Sequence, residues 1–118
     1  MANDFKRICT PSIGTSLTTI YAVPAGPSSA ALEAIVIGIT MANKTTAGVT
    51  ASIFIDNEDG SNDVYIVKDA SIPAGSSLEV MAGNKLVLMN DGSNADNLEA
   101  LASTTSAVDV TVSVLEDV

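Results

Sequence analysis

Hydrophobic and polar residues alternate along most of the chain, and this period of two is typical of a β-strand with one buried face. The clearest case lies near the C-terminus, where valines alternate with Asp109, Thr111 and Ser113. The valines are Val108, Val110, Val112 and Val114. We therefore predict a strand here whose valine face lies in the core and whose other face is polar.

A longer apolar segment, 32–42 (LEAIVIGITMA), is predicted to be the central strand. Strict alternation would place one set of side chains on the same face, namely Ile35, Ile37, Ile39 and Met41. Gly38 indicates a bend, because glycine inside a strand often marks a bulge. Val36 makes the opposite face apolar as well, so we expect one face to be covered by another subunit.

Further strands are predicted wherever an alternating run lies between turn-forming residues. They span 17–23, 49–55, 64–68, 78–81 and 85–89, with 49–55 and 64–68 forming an antiparallel hairpin. The segment 98–103 (LEALAS) contains good helix formers, but a segment this short forms only a marginal helix. The C-terminal valine strand completes the set.

About eight short strands without a convincing helix predict an all-β fold, an antiparallel β-sandwich of the jelly-roll or immunoglobulin-like Greek-key kind. An up-and-down barrel is the structural alternative. A length of 118 residues suits one domain. We expect this domain to span 17–118, preceded by a polar N-terminal arm formed by residues 1–16, which is either disordered or reaches a neighbouring molecule.

The amino-acid composition limits the kinds of core and of binding partner that the chain can have. Aromatic residues make up 3% of the chain, so the core is expected to be aliphatic. The formal charge of −9 repels phosphate backbones and anionic lipids, so neither nucleic acid nor a membrane is expected as a partner. The N-terminus has no apolar run of the secretory kind, and we expect cytoplasmic synthesis.

The chain contains few of the residue types that usually carry out catalysis. The chain has no histidine, which removes the commonest general base and the commonest nitrogen ligand for metals. Its single cysteine, Cys9, has no intrachain partner and is read as a small buried hydrophobe. Paired carboxylates can hydrolyse glycosides, but sugar sites usually present aromatic rings, which are scarce here. We expect no enzymatic activity and no cofactor.

Acidic loops are the candidate metal sites. The loop after 49–55 offers oxygen ligands that Ca²⁺ prefers, with Asp56, Glu58, Asp59 and Asp63 as the weak candidates. Its spacing departs from an EF-hand, because Gly60 is only the fifth residue counted from Asp56. We favour a solvated hairpin tip, which keeps a sheet edge soluble. The same interpretation applies to Asp91, Asp96 and Glu99.

Interaction with other proteins is the remaining role. The mean hydropathy of +0.36 is high for a soluble monomer of this size, which favours a homo-oligomer or docking to another protein. Within the predicted arm, the residues expected to make contacts are Phe5, Lys6, Arg7 and Ile8.

Four segments of strand and turn form a recognisable series. They are 18–26 (TTIYAVPAG), 64–70 (VYIVKDA), 72–78 (IPAGSSL) and 110–116 (VTVSVLE). The series resembles small virion proteins of tailed bacteriophages, especially those of marine cyanophages, over roughly residues 1–118. The loop 91–97 departs from that pattern, since such proteins often carry a shorter acid-Ala-Gly-Asp turn there.

The resemblance implies a non-catalytic β-sandwich of the virion. Its first implication is a head decoration or cement protein that binds neighbouring copies of the major capsid protein. A neck, tail or fibre accessory protein is the second. A receptor-binding or glycan-binding module is an alternative of a different class.

Overall fold

The computed structural model describes residues 3–57, 63–80 and 85–117, and these residues form nine β-strands and one short 3₁₀ segment, Pro27–Ser29. The strands are β1 (Asn3–Ile13), β2 (Thr18–Ala22), β3 (Leu32–Asn43), β4 (Val49–Asp56), β5 (Val64–Ile72), β6 (Ser77–Glu79), β7 (Leu86–Asn90), β8 (Asn97–Ala102) and β9 (Val108–Asp117). No helix in the described part is long and apolar enough to cross a membrane.

The strands pair in a nested order. β1 pairs with β9, β2 with β8, β3 with both β6 and β7, and β4 with β5, all antiparallel. Successive pairs alternate between two sheets, with order β1-β9-β3-β6 (plus β7 on β3) in the first and β2-β8-β4-β5 in the second. A long antiparallel ribbon wound over itself in this way is a jelly roll. The predicted all-β sandwich is confirmed.

The space between the sheets is filled by aliphatic side chains. The valine face of β9 is buried as predicted, and Ile53 of β4 and Leu98 of β8 pack opposite it from the second sheet. Of the four aromatic residues, Tyr21 lies in the core. The others, Phe5, Phe54 and Tyr65, lie outside it.

A bulge in β3 corrects the predicted facing of its side chains. The register against β9 shifts between Val36 and Gly38, so one extra residue is accommodated at the predicted bend. Ile39 and Met41 are buried, but Ile35 and Ile37, which were predicted to share their face, point to the outer face, and Ala34 and Val36 are buried in their place. Strict alternation misplaced half of the strand because one added residue reverses every facing beyond it.

The N-terminal residues are part of the domain. Residues 3–13 form β1, the edge strand of the first sheet, and pair with β9 from Asn3 against Asp117 to Ile13 against Val108. The far end is fixed by Asp109, which accepts hydrogen bonds from the Ser12 N–H and pairs with Lys44, each at 2.9 Å. The expectation of an arm outside the domain is therefore wrong for these residues, because their alternation was hidden by polar residues suited to a sheet edge.

Three smaller expectations are also resolved. Of the segment 98–103, residues 98–102 lie in β8, a strand between β2 and β4, so tertiary pairing overrides their helix propensity. Cys9 is exposed on β1 and is not a buried hydrophobe. The predicted strand 78–81 overlaps β6 at Leu78 and Glu79; Val80 lies in the following turn, and Met81 lies outside the described residues.

Candidate interaction surface

Four apolar side chains form a row across the outer face of the first sheet. Strand register places Phe5 of β1 beside Leu115 of β9, Leu115 beside Ile35 of β3, and Ile35 beside Val87 of β7. All four alternate with inward-facing neighbours, as shown on β9 by buried Val114 and Glu116 on either side of Leu115. The outer face therefore carries a continuous apolar row four strands wide.

Two further residues widen the row into a patch. Ile37 is turned outward by the bulge in β3, and Met89 lies two residues beyond Val87 on β7. Phe5 is 73% exposed, Val87 57%, Met89 45% and Ile37 41%, whereas Ile35 and Leu115 are half-buried. We call Phe5, Ile35, Ile37, Val87, Met89 and Leu115 the apolar patch. A contiguous exposed patch of this kind marks a protein interaction site more often than scattered surface residues do.

The four interaction residues expected from the sequence divide between the two faces of β1. Phe5 and Arg7 are exposed and occupy outward register positions, opposite Leu115 and Ser113 of β9. Ile8 packs against the core, and Lys6 forms an ion pair beneath the sheet. The sequence did not reveal the other members of the patch, because their grouping depends on the pairing of four strands. Their only sequence signal was the two-sided apolar character of β3.

A buried carboxylate lies on the inner side of the same end of the sheet. Glu116 continues the inward-facing series of β9 beyond Val114 and is 1% exposed. Its Oε2 accepts a hydrogen bond of 2.5 Å from the Tyr21 hydroxyl of the second sheet, and its Oε1 lies 2.9 Å from the Lys6 ammonium. This cluster joins β1, β2 and β9, so it fastens the edge strand and both sheets together.

The cluster changes the ionisation of its two other members. The pKa of Tyr21 is raised well above its ordinary value, first by burial and then by the hydrogen bond to Glu116. The pKa of Lys6 is raised by its contact with the Glu116 carboxylate. Both effects hold the phenol neutral and the ammonium charged, which are the forms that satisfy a buried carboxylate.

Of the four candidate calcium ligands, Asp56 and Asp63 lie within the described residues. Among the residues described, no group of three or more acidic, cysteine or histidine side chains is placed to hold a metal ion. The Asn57 N–H donates a 2.8 Å hydrogen bond to Asp63, as in a loop closed on itself. Glu58 and Asp59 lie outside the described residues.

The carboxylates of the second acidic loop, 90–97, accept hydrogen bonds from nearby backbone N–H groups. Asp91 accepts hydrogen bonds from the backbone N–H groups of Asn94 and Ser93, and these bonds lower its pKa. Asp96 accepts a 2.9 Å bond from the Met89 N–H. Asp91 is exposed, as the solvated-loop interpretation expects, whereas Asp96 is buried and departs from that interpretation.

The second sheet carries a smaller aromatic feature on its outer face. The rings of Phe54 and Tyr65 meet edge to face with centroids 5.1 Å apart, and the Lys68 ammonium lies 5.2 Å from the Tyr65 ring centre. The Tyr65 ring is thus already occupied by neighbours from its own strand and from β4. An open aromatic platform for stacking a sugar is not formed by this pair.

A cleft of about 260 Å³ runs beside Cys9 between β1 and β9. Its walls are Thr10, Pro11, Asp109, Val110 and Thr111 in addition to Cys9. The Asp109 carboxylate is bound to Ser12 and Lys44, which also lowers its pKa. The cleft therefore offers one thiol and no convergent set of polar groups.

Comparisons with known proteins identify the fold. Neither protein-family models nor curated proteins match the chain. Among solved structures, a chain of the T13 infectious bursal disease virus particle matches with a TM-score of 0.50 and 11% identity. The match covers 97% of the present chain but 30% of the viral chain. It establishes a shared β-sandwich architecture with one part of a larger protein.

Two further structures are similar at lower scores. A protein of Bacillus endospore appendages, described as a family of disulfide-linked pili, matches with a TM-score of 0.45 and 16% identity over 97% of this chain and 85% of that one. A chain of the infectious bursal disease virus Gt strain matches with a TM-score of 0.47 and 11% identity over 96% of this chain and 30% of that one.

Proposed function

We propose that this chain is a non-catalytic structural protein of a virus particle and that it decorates the head of a tailed bacteriophage, where it binds neighbouring capsid subunits. The apolar patch is the observation that carries the proposal. Phe5 and Val87 are more than half exposed although they belong to a continuous apolar row, and such a surface is stable in an assembly that covers it.

The fold and its chemistry support the same role. A jelly roll is the architecture of many capsid domains, and the viral particle chain with a TM-score of 0.50 has a domain of this shape. The polar groups described beside the core serve to close turns or to join strands, as in the cluster around Glu116. A sandwich with a packed core and an exposed apolar patch supports a role in assembly.

Localisation on intact particles tests the proposal. Antibodies raised against the recombinant chain are used for immunogold electron microscopy of gradient-purified particles of the phage that encodes it. We expect gold on the head, together with release of the chain when particles are disrupted. Gold on the neck, tail or fibres would overturn decoration in favour of an accessory protein there, and absence of the chain from purified particles would overturn a virion role.

A matched pair of variants ties the binding to the patch. Val87→Asp places a charge in the exposed row, whereas Lys68→Asp changes an exposed residue on the second sheet. If assembly on the head requires the patch to be covered, recombinant Val87→Asp no longer co-sediments with heads that lack the chain, and Lys68→Asp still does. Equal co-sedimentation of the two variants would contradict this use of the patch.

A further inference from the structure

Two charged side chains stand at opposite corners of the apolar patch. Arg7 of β1 pairs in register with Ser113 of β9, and Glu33 of β3 pairs with Asp117 of β9. Both are exposed on the outer face of the first sheet. Among the described residues, the three ion pairs involve neither of them. Each is therefore available to a partner of opposite charge.

Their placement is symmetric about one residue. β9 lies between β1 and β3, and Leu115 lies midway along β9 between Ser113 and Asp117. With strands about 4.8 Å apart and alternate residues about 6.8 Å apart along a strand, the Cα atoms of Arg7 and Glu33 are separated by roughly 17 Å. Leu115 is at the midpoint of this line.

We propose that the apolar patch binds the same patch of a second copy of this chain, around a two-fold axis that passes through Leu115 in the plane of the interface. This inference rests on the proposed function and specifies what covers the patch: the patch is covered by a second copy, and the chain attaches to the head as a dimer through other surfaces. An axis perpendicular to the line between the two charges places Arg7 of each copy over Glu33 of the other. Leu115 then packs on its counterpart.

Charge is what selects a second copy over another partner. A two-fold interface is self-complementary, so the same patch must carry both members of every ion pair. One cation and one anion at equal distances from a central apolar residue meet this condition. A partner with a uniformly basic or acidic surface would be attracted at one corner and repelled at the other. The apolar row supplies the water-excluding centre that a stable interface requires.

Charge reversal tests the arrangement in the isolated chain. Arg7→Glu places carboxylates opposite each other at both corners of the dimer, and Glu33→Arg does the same with cations. Combining the two substitutions restores opposite charges at both corners. Lys68→Glu, on the outer face of the second sheet, changes the net charge by as much as Arg7→Glu and is the matched control. Sedimentation equilibrium measures the dimer dissociation constant, and circular dichroism verifies the fold.

The proposal expects a mass of twice 12.0 kDa for the wild-type chain and for Lys68→Glu. Each single reversal at the patch is expected to raise the dissociation constant on the order of tenfold or more, and the double reversal to return it toward the wild-type value. A wild-type monomer at every concentration reached would overturn the dimer, as would a dimer indifferent to Arg7→Glu. A double variant as weak as the single ones would overturn the two-fold arrangement.

Failure of this inference is separate from failure of the proposed function. If the chain is found on phage heads by immunogold but remains a monomer in solution, the second copy is wrong and decoration stands. If it forms the expected dimer but is absent from particles, the dimer stands and the virion role falls.

Discussion

Glu116 is the residue whose chemistry is least compatible with its surroundings. It continues a series of buried valines, and a carboxylate in that position is costly unless it is paired and hydrogen-bonded. Tyr21 and Lys6 provide those contacts from two other strands. The stability of this end of the sandwich therefore depends on three side chains that act together.

Tyr21→Phe should destabilise the fold at neutral pH by about 1–3 kcal/mol, because it leaves Oε2 of the buried carboxylate without its donor. The same change should alter the alkaline behaviour. The pKa of Tyr21 in the folded chain lies above its ordinary value of 10.0, so its contribution is fully present below pH 10.0 and is lost as the pH rises further. The wild-type free energy of unfolding should consequently fall more steeply above pH 10.0 than that of Tyr21→Phe.

Urea denaturation at neutral pH and at several values above pH 10.0 measures both effects. Tyr65→Phe is the matched control, since it removes an exposed phenol and leaves the Tyr21 cluster intact. It should retain the wild-type alkaline decline. Identical pH profiles for Tyr21→Phe and the wild type would contradict the assigned role of the phenol.

Two glycines allow backbone strain to be separated from steric overlap. Gly75 and Gly92 both have positive φ, +67° and +97°, but only at Gly92 would a Cβ collide with a backbone atom, the carbonyl oxygen of Ser29. Gly75→Ala should cost about 1 kcal/mol from the left-handed conformation alone. Gly92→Ala should cost roughly twice that or more, because the segment around Ser29 must move. Chemical denaturation of the two variants compares them, and equal losses would contradict the close approach.

At the scale of elements, β1 shows most clearly what the sequence could not reveal. Its side chains alternate between the core and the outer face, but three of its five inward positions, Asp4, Lys6 and Thr10, are polar because the strand lies at an edge. Lys6 looks like an exposed basic residue when the sequence is read alone, but it faces inward and reaches Glu116. The valine strand β9 was predictable because one of its faces is uniformly apolar and the other uniformly polar up to Ser113.

The contrast between regular and irregular alternation also explains why the apolar patch could not be predicted from the sequence. The predicted strand 49–55 is confirmed as β4, and its Val49, Ala51 and Ile53 lie in the core. In β3 the sequence indicated a bend at Gly38 but not which half of the strand would be reversed. The patch was thus hidden, since its members come from β1, β3, β7 and β9 and meet only through register. The apolar residues on both faces of β3 indicated an exposed apolar surface without locating it.

Adjacent residues of β1 provide a test of its place in the domain. Ile8 packs against the core from β1, and Cys9 is exposed on the opposite face. Ile8→Ala should lower the free energy of unfolding by about 1–2 kcal/mol through lost burial, whereas Cys9→Ala should remain within about 0.5 kcal/mol of the wild type. Thermal and urea unfolding measure both variants. A neutral Ile8→Ala would instead support an arm that does not contribute to the sandwich.

For the whole molecule, the net charge opposes the proposed dimer, and the dimensions of the chain set how strongly the two copies repel each other. The chain carries −9 and measures 46 × 27 × 22 Å, so two copies packed through their broad faces lie with centres about 22 Å apart. Treated as point charges in water, they repel each other by roughly 15 kcal/mol without salt. Screening reduces this to about half at 0.01 M salt and to less than a tenth at 0.15 M. The exposed Arg7 and Glu33 pairs contribute only about 0.2–1 kcal/mol each, so repulsion governs the salt response.

The dimer should therefore become tighter as salt rises, by on the order of tenfold or more between 0.01 M and 0.15 M NaCl. Sedimentation equilibrium at several salt concentrations measures this trend. Arg7→Glu should show the same direction from a weaker starting affinity, because its net charge is more negative and its corner charges repel. An interface held mainly by the corner ion pairs would loosen with salt, and that result would mean that burial of the apolar patch is not what holds the copies together. If the dimers of the wild type and of Arg7→Glu both become tighter with salt, the driving force lies in the apolar row from Phe5 to Val87. The two charges then set the orientation of the copies.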